Sequence, residues 1–192
     1  GRFGPDWARL DERWVLVTGA ARGLGRAIAI GAARFGADIV AIDRDELGLV
    51  GLRDEVESLG RTCLTGACDV RDGEAVEAVL ATAMERTEGL DVLVNNAGGG
   101  FWSPFLEVTP GGEAALIAEN FTQVTHLIRS CVPHLVPGGS IISVTSVEGH
   151  RAGPGFAIYS AMKAAVENLT RTLALELAER RIRVNAVAPD MI

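Results

Sequence analysis

Six short apolar segments, separated by amphipathic stretches of helical length, constrain the fold of this chain more than any other feature. They read WVLVTG (14–19), DIVAID (38–43), TCLTGACDV (62–70), DVLVNN (91–96), SIISVTS (140–146) and RVNAVA (183–188). Their Val, Ile and Leu residues run on without polar alternation, the pattern of strands covered on both faces. Helices are predicted at 23–35, 45–59, 72–87, 112–132 and 157–179, the first two stopping at Gly36 and Gly60, where a left-handed C-cap suits glycine. A βα order repeated in this way calls for parallel pairing through right-handed crossovers. The predicted fold is therefore α/β, a doubly wound parallel sheet with helices on both faces.

Residues 1–12, GRFGPDWARLDE, show no period and are expected to form an N-terminal tail, leaving 13–192 as one domain. A chain of 192 residues is long enough for one substantial core. With 48% hydrophobic and 22% charged residues, and no apolar run near the ~18 residues of a membrane span, no membrane partner is expected. No secretory h-region follows the N-terminus. Cys63, Cys68 and Cys131 form no C-x-x-C pair, which suits buried thiols in a reducing cytoplasm better than disulfides or a zinc site, so a cytoplasmic location without metal is expected. A net charge of −7 leaves no basic stripe for a phosphate backbone, and nucleic acid is not an expected partner.

Between the first strand and the first helix the chain reads Thr18-Gly-Ala-Ala-Arg-Gly-Leu-Gly25. A dinucleotide pyrophosphate needs this place: Gly19 permits the tight turn, Gly23 lets the backbone approach phosphate oxygens, and Gly25 lets the helix pack closely on the strand. The helix N-terminus adds unpaired N–H donors and a partial positive charge. Gly19, Ala21, Arg22, Gly23, Leu24 and Gly25 are thus candidate cofactor contacts. Asp43 ends the second strand 18 residues beyond Gly25, close to the spacing of about 20 at which an acidic group meets the adenine ribose. A carboxylate there accepts hydrogen bonds from the ribose hydroxyls and repels a 2′-phosphate, which puts NAD ahead of NADP as the expected cofactor. Arg22 and Arg44 weigh the other way, as groups able to meet a 2′-phosphate. The alternative for Asp43 is a cap on helix 45–59, and one carboxylate does not easily serve both roles.

Tyr159-Ser-Ala-Met-Lys163 begins thirteen residues after Ser146. Residues i and i+4 share a helix face, so the Lys163 ammonium can lie beside the Tyr159 oxygen. A free phenol, with a pKa of about 10, is a poor proton shuttle at neutral pH. An adjacent positive charge favours the phenolate and brings the group toward the range in which general acid/base catalysis works.

Taken in order, TGAARGLG, Asp69-Val70, Asn95-Asn-Ala-Gly98, Asn120, Ser146, YSAMK and RVNAVAP resemble the motifs of the short-chain dehydrogenase/reductase family, of Rossmann-type fold, over nearly the whole chain. The resemblance implies NAD(P)-dependent oxidation of a secondary alcohol, or reduction of a carbonyl. It implies that Ser146 holds the substrate oxygen, that Tyr159 transfers the proton, and that Lys163 both lowers the Tyr159 pKa and grips the nicotinamide ribose. The nicotinamide itself would transfer the hydride. Asn120 would hold a water that relays protons from Lys163, a locally bonded helix Asn being the alternative. Asp69 and Val70 would line the adenine pocket, and Asn96, Ala97 and Gly98 would pass along the cofactor ribose. Pro189 and Ile192, after the sixth strand, complete the expected cofactor contacts, while Asn95 reads as a structural tie between the central strands.

Two features depart from the family pattern. Pro189-Asp190 stands where Pro-Gly is usual, and Asp190 either meets the nicotinamide or faces solvent. The chain stops at Ile192, before the pyrophosphate-contacting Thr, helical lid and seventh strand of the family, and the natural protein is expected to continue. Phe101, Trp102 and Phe105, with Glu148, His150 and Phe156, are expected to wall a pocket for a bulky, apolar alcohol or ketone. His150 is not expected to act as a second acid or base, because Tyr159 fills that role. The helices near 112–132 and 157–179 resemble the pair through which the family forms homodimers or homotetramers; Leu116, Phe121, Leu169 and Leu173 would serve such an interface or the core. Within the family the alternative is an NADP-dependent ketone reductase, such as a 3-oxoacyl reductase. Outside it stand a nucleotide-sugar epimerase or dehydratase, whose usual Gly-x-x-Gly-x-x-Gly loop differs from Gly19-x-x-x-Gly23-x-Gly25, and a non-catalytic dinucleotide sensor or scaffold.

Overall fold

The computed structural model describes residues 9–190. In chain order these form β1 (Trp14–Thr18), α1 (Gly23–Arg34), β2 (Asp38–Asp43), α2 (Glu46–Ser58), β3 (Cys63–Ala67), α3 (Gly73–Met84), β4 (Leu90–Asn95), α4 (Pro110–Ile117), α5 (Gln123–Cys131), β5 (Leu135–Val144), α6 (Ala157–Glu176) and β6 (Arg183–Val187). The sheet order is β3-β2-β1-β4-β5-β6, with every pairing parallel. Leu16 of β1 stands opposite Val40 of β2 on one side and Leu93 of β4 on the other. Strand order reverses at this β1–β4 border, and open α/β sheets bind ligands in the crevice beyond the C-terminal ends of such strands.

The continuous apolar strands have a direct cause. Successive side chains point to opposite faces of a strand, and here both faces are covered. Val15, Val17, Ile39 and Ala41 join Ala29 and Ala33 of α1 and Leu49 and Leu52 of α2 in one core. Leu16, Val40, Ile42, Leu93 and Ile141 join Val76 and Leu80 of α3, Leu127 of α5 and Val166 of α6 in the other. Burying a side chain such as Leu93 or Leu127, both with no exposed surface, contributes roughly 1.5–3 kcal/mol. Leu10 packs on the α1 side and its N–H donates to the Phe35 carbonyl at 2.7 Å, so this part of the expected tail is fastened. Residues 1–8 lie outside the described residues.

Several expected boundaries move, each for a local reason. β3 ends at Ala67 because Asp72 caps α3, accepting from Ala75 N at 3.1 Å, and the chain must turn to reach it. Asp69 and Val70 therefore lie in a loop. β5 begins at Leu135, with its register shifted between Leu90 and Val92 of β4, and ends at Val144, so Ser146 lies just past the strand. The helix expected over 112–132 is broken by a π-turn at Ala118–Thr122 that divides α4 from α5. Leu116 is buried, and Phe121, Leu169 and Leu173 pack against the larger core, so all four serve the core. Among the described residues no helix is long and apolar enough to cross a membrane.

Candidate active site

Gly19 and Gly23 take φ of +64° and +56°, left-handed values that side chains disfavour. A Cβ on Gly25 would collide with the Gly19 carbonyl oxygen, whereas nothing lies within 4 Å of the same position on Gly23. The Gly23 backbone is thus open to a ligand. Helices α2, α3 and α4 each begin with a side-chain cap, from Asp45, Asp72 and Thr109, and an acidic residue in the first turn. α1 has neither, so its leading N–H groups keep their partial positive charge for an anion. An open backbone at Gly23 and an uncapped helix end fit a dinucleotide pyrophosphate.

The loop is braced from β4. Thr18 Oγ1 accepts from the amides of Asn96 (3.1 Å) and Ala97 (3.0 Å), and Asn96 Nδ2 donates to the carbonyls of Thr18 (2.9 Å) and Gly19 (3.2 Å). Asn95, fully buried, donates to Ser143 Oγ of β5 at 3.3 Å, the strand tie expected of it. A cleft of about 260 Å³ opens here, lined by Gly19, Arg22, Asp43, Arg44, Asp69, Val70, Asn96, Ala97 and Gly98, all expected contacts. Cys68, Arg71 and Glu119 line it as well and were not expected. In the same loop Ala21 and Gly25 are buried and Leu24 is half-buried.

Asp43 is fixed at the rim of this cleft. Its Oδ2 accepts from Ala21 N and its Oδ1 from Asp45 N, both at 3.0 Å. The cap of α2 is Asp45, which accepts from Gly48 N at 3.0 Å, so Asp43 is not the cap. Arg71 donates to both oxygens of Asp69, at 2.9 Å and 2.5 Å, and this pairing holds the Asp69 carboxyl down at about 2. All three cysteines are free, and burial pushes Cys63 and Cys131 up to about 12 and raises Cys68.

A second group of side chains gathers at the same end of the sheet. Ser146, 8% exposed, accepts from Glu148 N at 3.2 Å and caps a short turn, Val147–Gly149. Lys163, 6% exposed, donates to the Val144 carbonyl at 3.0 Å, and its Nζ stands 5.5 Å from the Tyr159 ring centroid. Burial pulls the Lys163 ammonium from 10.5 down to about 8, opposed by the negative charge of Glu119. Asn120 is fully buried in the π-turn. Its Nδ2 donates to the carbonyls of Gly99 (2.7 Å) and Leu116 (3.0 Å), and its Oδ1 accepts from Gly99 N at 3.2 Å. The bond to Leu116 is the local one considered from the sequence; the two to Gly99 were not foreseen. A Cβ on Gly98 would lie 3.1 Å from Asn120 Oδ1 and 3.3 Å from Lys163 Nζ, so the bare backbone at Gly98 lets these groups converge. Such an arrangement offers a phenol with a buried ammonium over its ring and a serine hydroxyl at the neighbouring strand end.

Phe101, Trp102 and Phe105 are 45%, 66% and 61% exposed, on a loop that Ser103 N ties to the Gly155 carbonyl at 2.9 Å. Phe156 meets the Tyr159 ring edge-on at 6.2 Å. His150 Nε2 stands 2.8 Å from Glu167 Oε1. Asp190 accepts from Arg151 at 3.0 Å, a partner neither of its sequence readings named, and Pro189 O accepts from Val147 N at 3.0 Å. Ile192 lies outside the described residues.

Known proteins resemble the chain throughout. The family model for short chain dehydrogenase matches residues 13–192. A 3beta-hydroxysteroid dehydrogenase of Mediterraneibacter gnavus is 38% identical over 183 residues, 94% of this chain and 66% of the relative. The crystal structure of carveol dehydrogenase from Mycobacterium avium in complex with NAD superimposes with a TM-score of 0.91 at 35% identity, covering 95% of this chain and 72% of that one. A short chain dehydrogenase from Burkholderia cenocepacia in complex with NADP gives 0.91 at 34%, covering 94% and 75%. The chain belongs to the short-chain dehydrogenase/reductase family, the NAD(P)-dependent oxidoreductases that act on CH–OH groups.

Proposed function

We propose that the protein transfers a hydride between NAD and an apolar, ring-bearing secondary alcohol or ketone, with Tyr159 moving the proton. The observation that carries this reading is the buried Lys163 ammonium, 5.5 Å from the Tyr159 ring centroid and anchored on the Val144 carbonyl at the strand end that leads to Ser146. When bound, the nicotinamide supplies the hydride acceptor or donor. The Gly19–Gly25 loop, with Ala21 and Leu24, would hold the pyrophosphate and Asp43 the adenine ribose. Asp69 and Val70 would lie along the adenine, and Asn96, Ala97, Gly98 and Pro189 along the remainder. In the oxidation direction the Tyr159 phenolate takes the proton of the substrate hydroxyl, and Ser146 Oγ hydrogen-bonds the same oxygen. Lys163 stabilises the phenolate and grips the nicotinamide ribose. Asn120 sets the Gly98–Gly99 backbone against Lys163, and the water relay from Lys163 passes beside it.

NAD is favoured over NADP because the Asp43 charge is fixed by two amides where a 2′-phosphate would come, while Arg22 and Arg44 are exposed and free to turn. A ring-bearing substrate is favoured by the exposed aromatics Phe101, Trp102 and Phe105, and the related proteins named for carveol and 3beta-hydroxysteroids act on cyclic secondary alcohols. Two-fold assembly through α4–α5 and α6 is supported by Ala114, Ala115, Ala161 and Leu175, which remain exposed there. The free thiols support a cytoplasmic location.

Titration with NADH and NADPH, followed by nicotinamide fluorescence, and NAD reduction across a panel of cyclic secondary alcohols test the reading together. Tighter NADH binding with turnover of at least one alcohol is expected. Tighter NADPH binding would contradict the cofactor assignment, and cofactor binding without turnover of any alcohol or ketone would contradict the catalytic one.

A further inference from the structure

The segment that carries Ser146 lies directly on the helix that carries Tyr159 and Lys163. Ser146 Oγ accepts from Glu148 N, while the amides of Gly149 and His150 donate to the carbonyls of Ser146 and Val147, each at 2.9 Å, closing the turn. Gly149 sits against the backbone of α6. A Cβ there would lie 3.1 Å from Ala164 N, 3.3 Å from the Lys163 carbonyl carbon and 3.1 Å from Glu167 Oε1. Tyr159, Lys163 and Glu167 follow one another at i, i+4 and i+8, on one face of the helix.

Glu167 is only 8% exposed, and a carboxylate buried to that degree is costly without a donor or a cation beside it. The His150 imidazole, itself 58% exposed, sets its Nε2 2.8 Å from Glu167 Oε1, an ion-pair distance at which Oε1 accepts no aligned hydrogen bond, so the contact holds as a charge pairing and not as a hydrogen bond. The pair therefore reaches from the outside of the turn down to the buried face of α6. Arg151, the next residue, is tied elsewhere, to Glu148 and Asp190.

We propose that His150 and Glu167 form a positioning pair that holds the Val147–Gly149 turn on α6 and so fixes Ser146 relative to Tyr159. Both are positioning residues that act through Ser146. The catalytic consequence rests on the alcohol–ketone reading above, whereas the latch is a property of the fold and is tested apart from it.

The test compares wild type, His150→Ala, His150→Gln and Glu167→Gln by hydrogen exchange at the Gly149 and His150 amides, by NADH affinity, and by kcat and KM with the best alcohol. In His150→Ala, a change at an exposed ring, the two amides are expected to exchange several-fold faster. The kcat is expected to fall roughly 10- to 100-fold, as for a small misplacement of a reacting group, with KM and NADH affinity changed less than about twofold. His150→Gln, which keeps a polar side chain but no charge, and Glu167→Gln both behave like His150→Ala. Unchanged exchange in both His150→Ala and Glu167→Gln overturns the proposal, as does faster exchange with an unchanged kcat. A wild-type protein that turns over no secondary alcohol contradicts the redox reading alone, and exchange then decides the latch: faster supports it, unchanged overturns it.

Discussion

Lys163 holds its ammonium 5.5 Å from the centroid of the Tyr159 ring, one helical turn away, and anchors it on the Val144 carbonyl at 3.0 Å. The strand that ends at Val144 continues to Ser146, so a single buried side chain ties the helix of the phenol to the segment of the serine. Tyr159→Phe removes the proposed proton carrier while leaving this anchor and the ring packing in place. The expected outcome is a loss of about 10²- to 10⁴-fold in kcat, the usual worth of a positioned acid or base, with NADH binding retained. Steady-state kinetics and fluorescence titration check the two halves separately.

Lys163 also carries a pH signature. Its ammonium is lowered from 10.5 to about 8 by burial. Below about 8 it is protonated in the folded and unfolded chain alike. Between there and 10.5 the unfolded chain keeps a proton that the folded one has lost, so stability rises with pH across that window, by at most about 3 kcal/mol from this group. Lys163→Met is expected to remove the rise and to abolish turnover. Urea denaturation of both proteins from neutral pH to above 10.5 reads the difference.

Asp43→Asn keeps an acceptor for one of the two amides, from Ala21 and Asp45, that bind the carboxylate, and removes the charge. The ratio of NADPH to NADH affinity is expected to rise about tenfold or more, the size of a lost like-charge penalty of roughly 1.4 kcal/mol. An unchanged ratio would assign cofactor choice to other groups of the cleft.

Gly25→Ala places a methyl group against the Gly19 carbonyl. Because that contact is backbone, the glycine loop must move, and overpacking of this kind costs typically 1–3 kcal/mol. Thermal denaturation should show the loss, and NADH affinity should fall with it.

Arg151→Ala is expected to do little to stability. Arg151 and Asp190 are 54% and 64% exposed, and solvent screens an ion pair so open to water, which leaves it little stabilising effect. A larger loss in denaturant titrations would mean that Arg151 braces the Ser146 turn by more than its charge.

The strands and the glycine loop were legible because their causes are local. Both faces of β1 and β2 need apolar side chains, and the left-handed φ at Gly19 and the backbone contact at Gly25 select glycine. Asn120 marked a site in the sequence, but the π-turn around it did not show, because its bonds to Gly99 join residues 21 apart in the chain. Asp43 and Asp45, two residues apart, compete for the cap of α2, and only the geometry of the loop from Thr18 to Gly23 assigns Asp45 to it. Arg71 and Glu119 carried weak signals, an acid two residues before one and the marked Asn120 after the other. The Glu167–His150 contact had none beyond the helical spacing of Glu167 from Lys163.

The most direct test of the central claim is the rate of NAD reduction by the wild type and by Tyr159→Phe with a panel of cyclic secondary alcohols, at matched cofactor occupancy. Turnover by the wild type that falls to the background in Tyr159→Phe, with NADH still bound, is the expected result. Equal rates in the two proteins, or no turnover by the wild type with any alcohol, would contradict the assignment of Tyr159 as the proton carrier of a secondary-alcohol dehydrogenase.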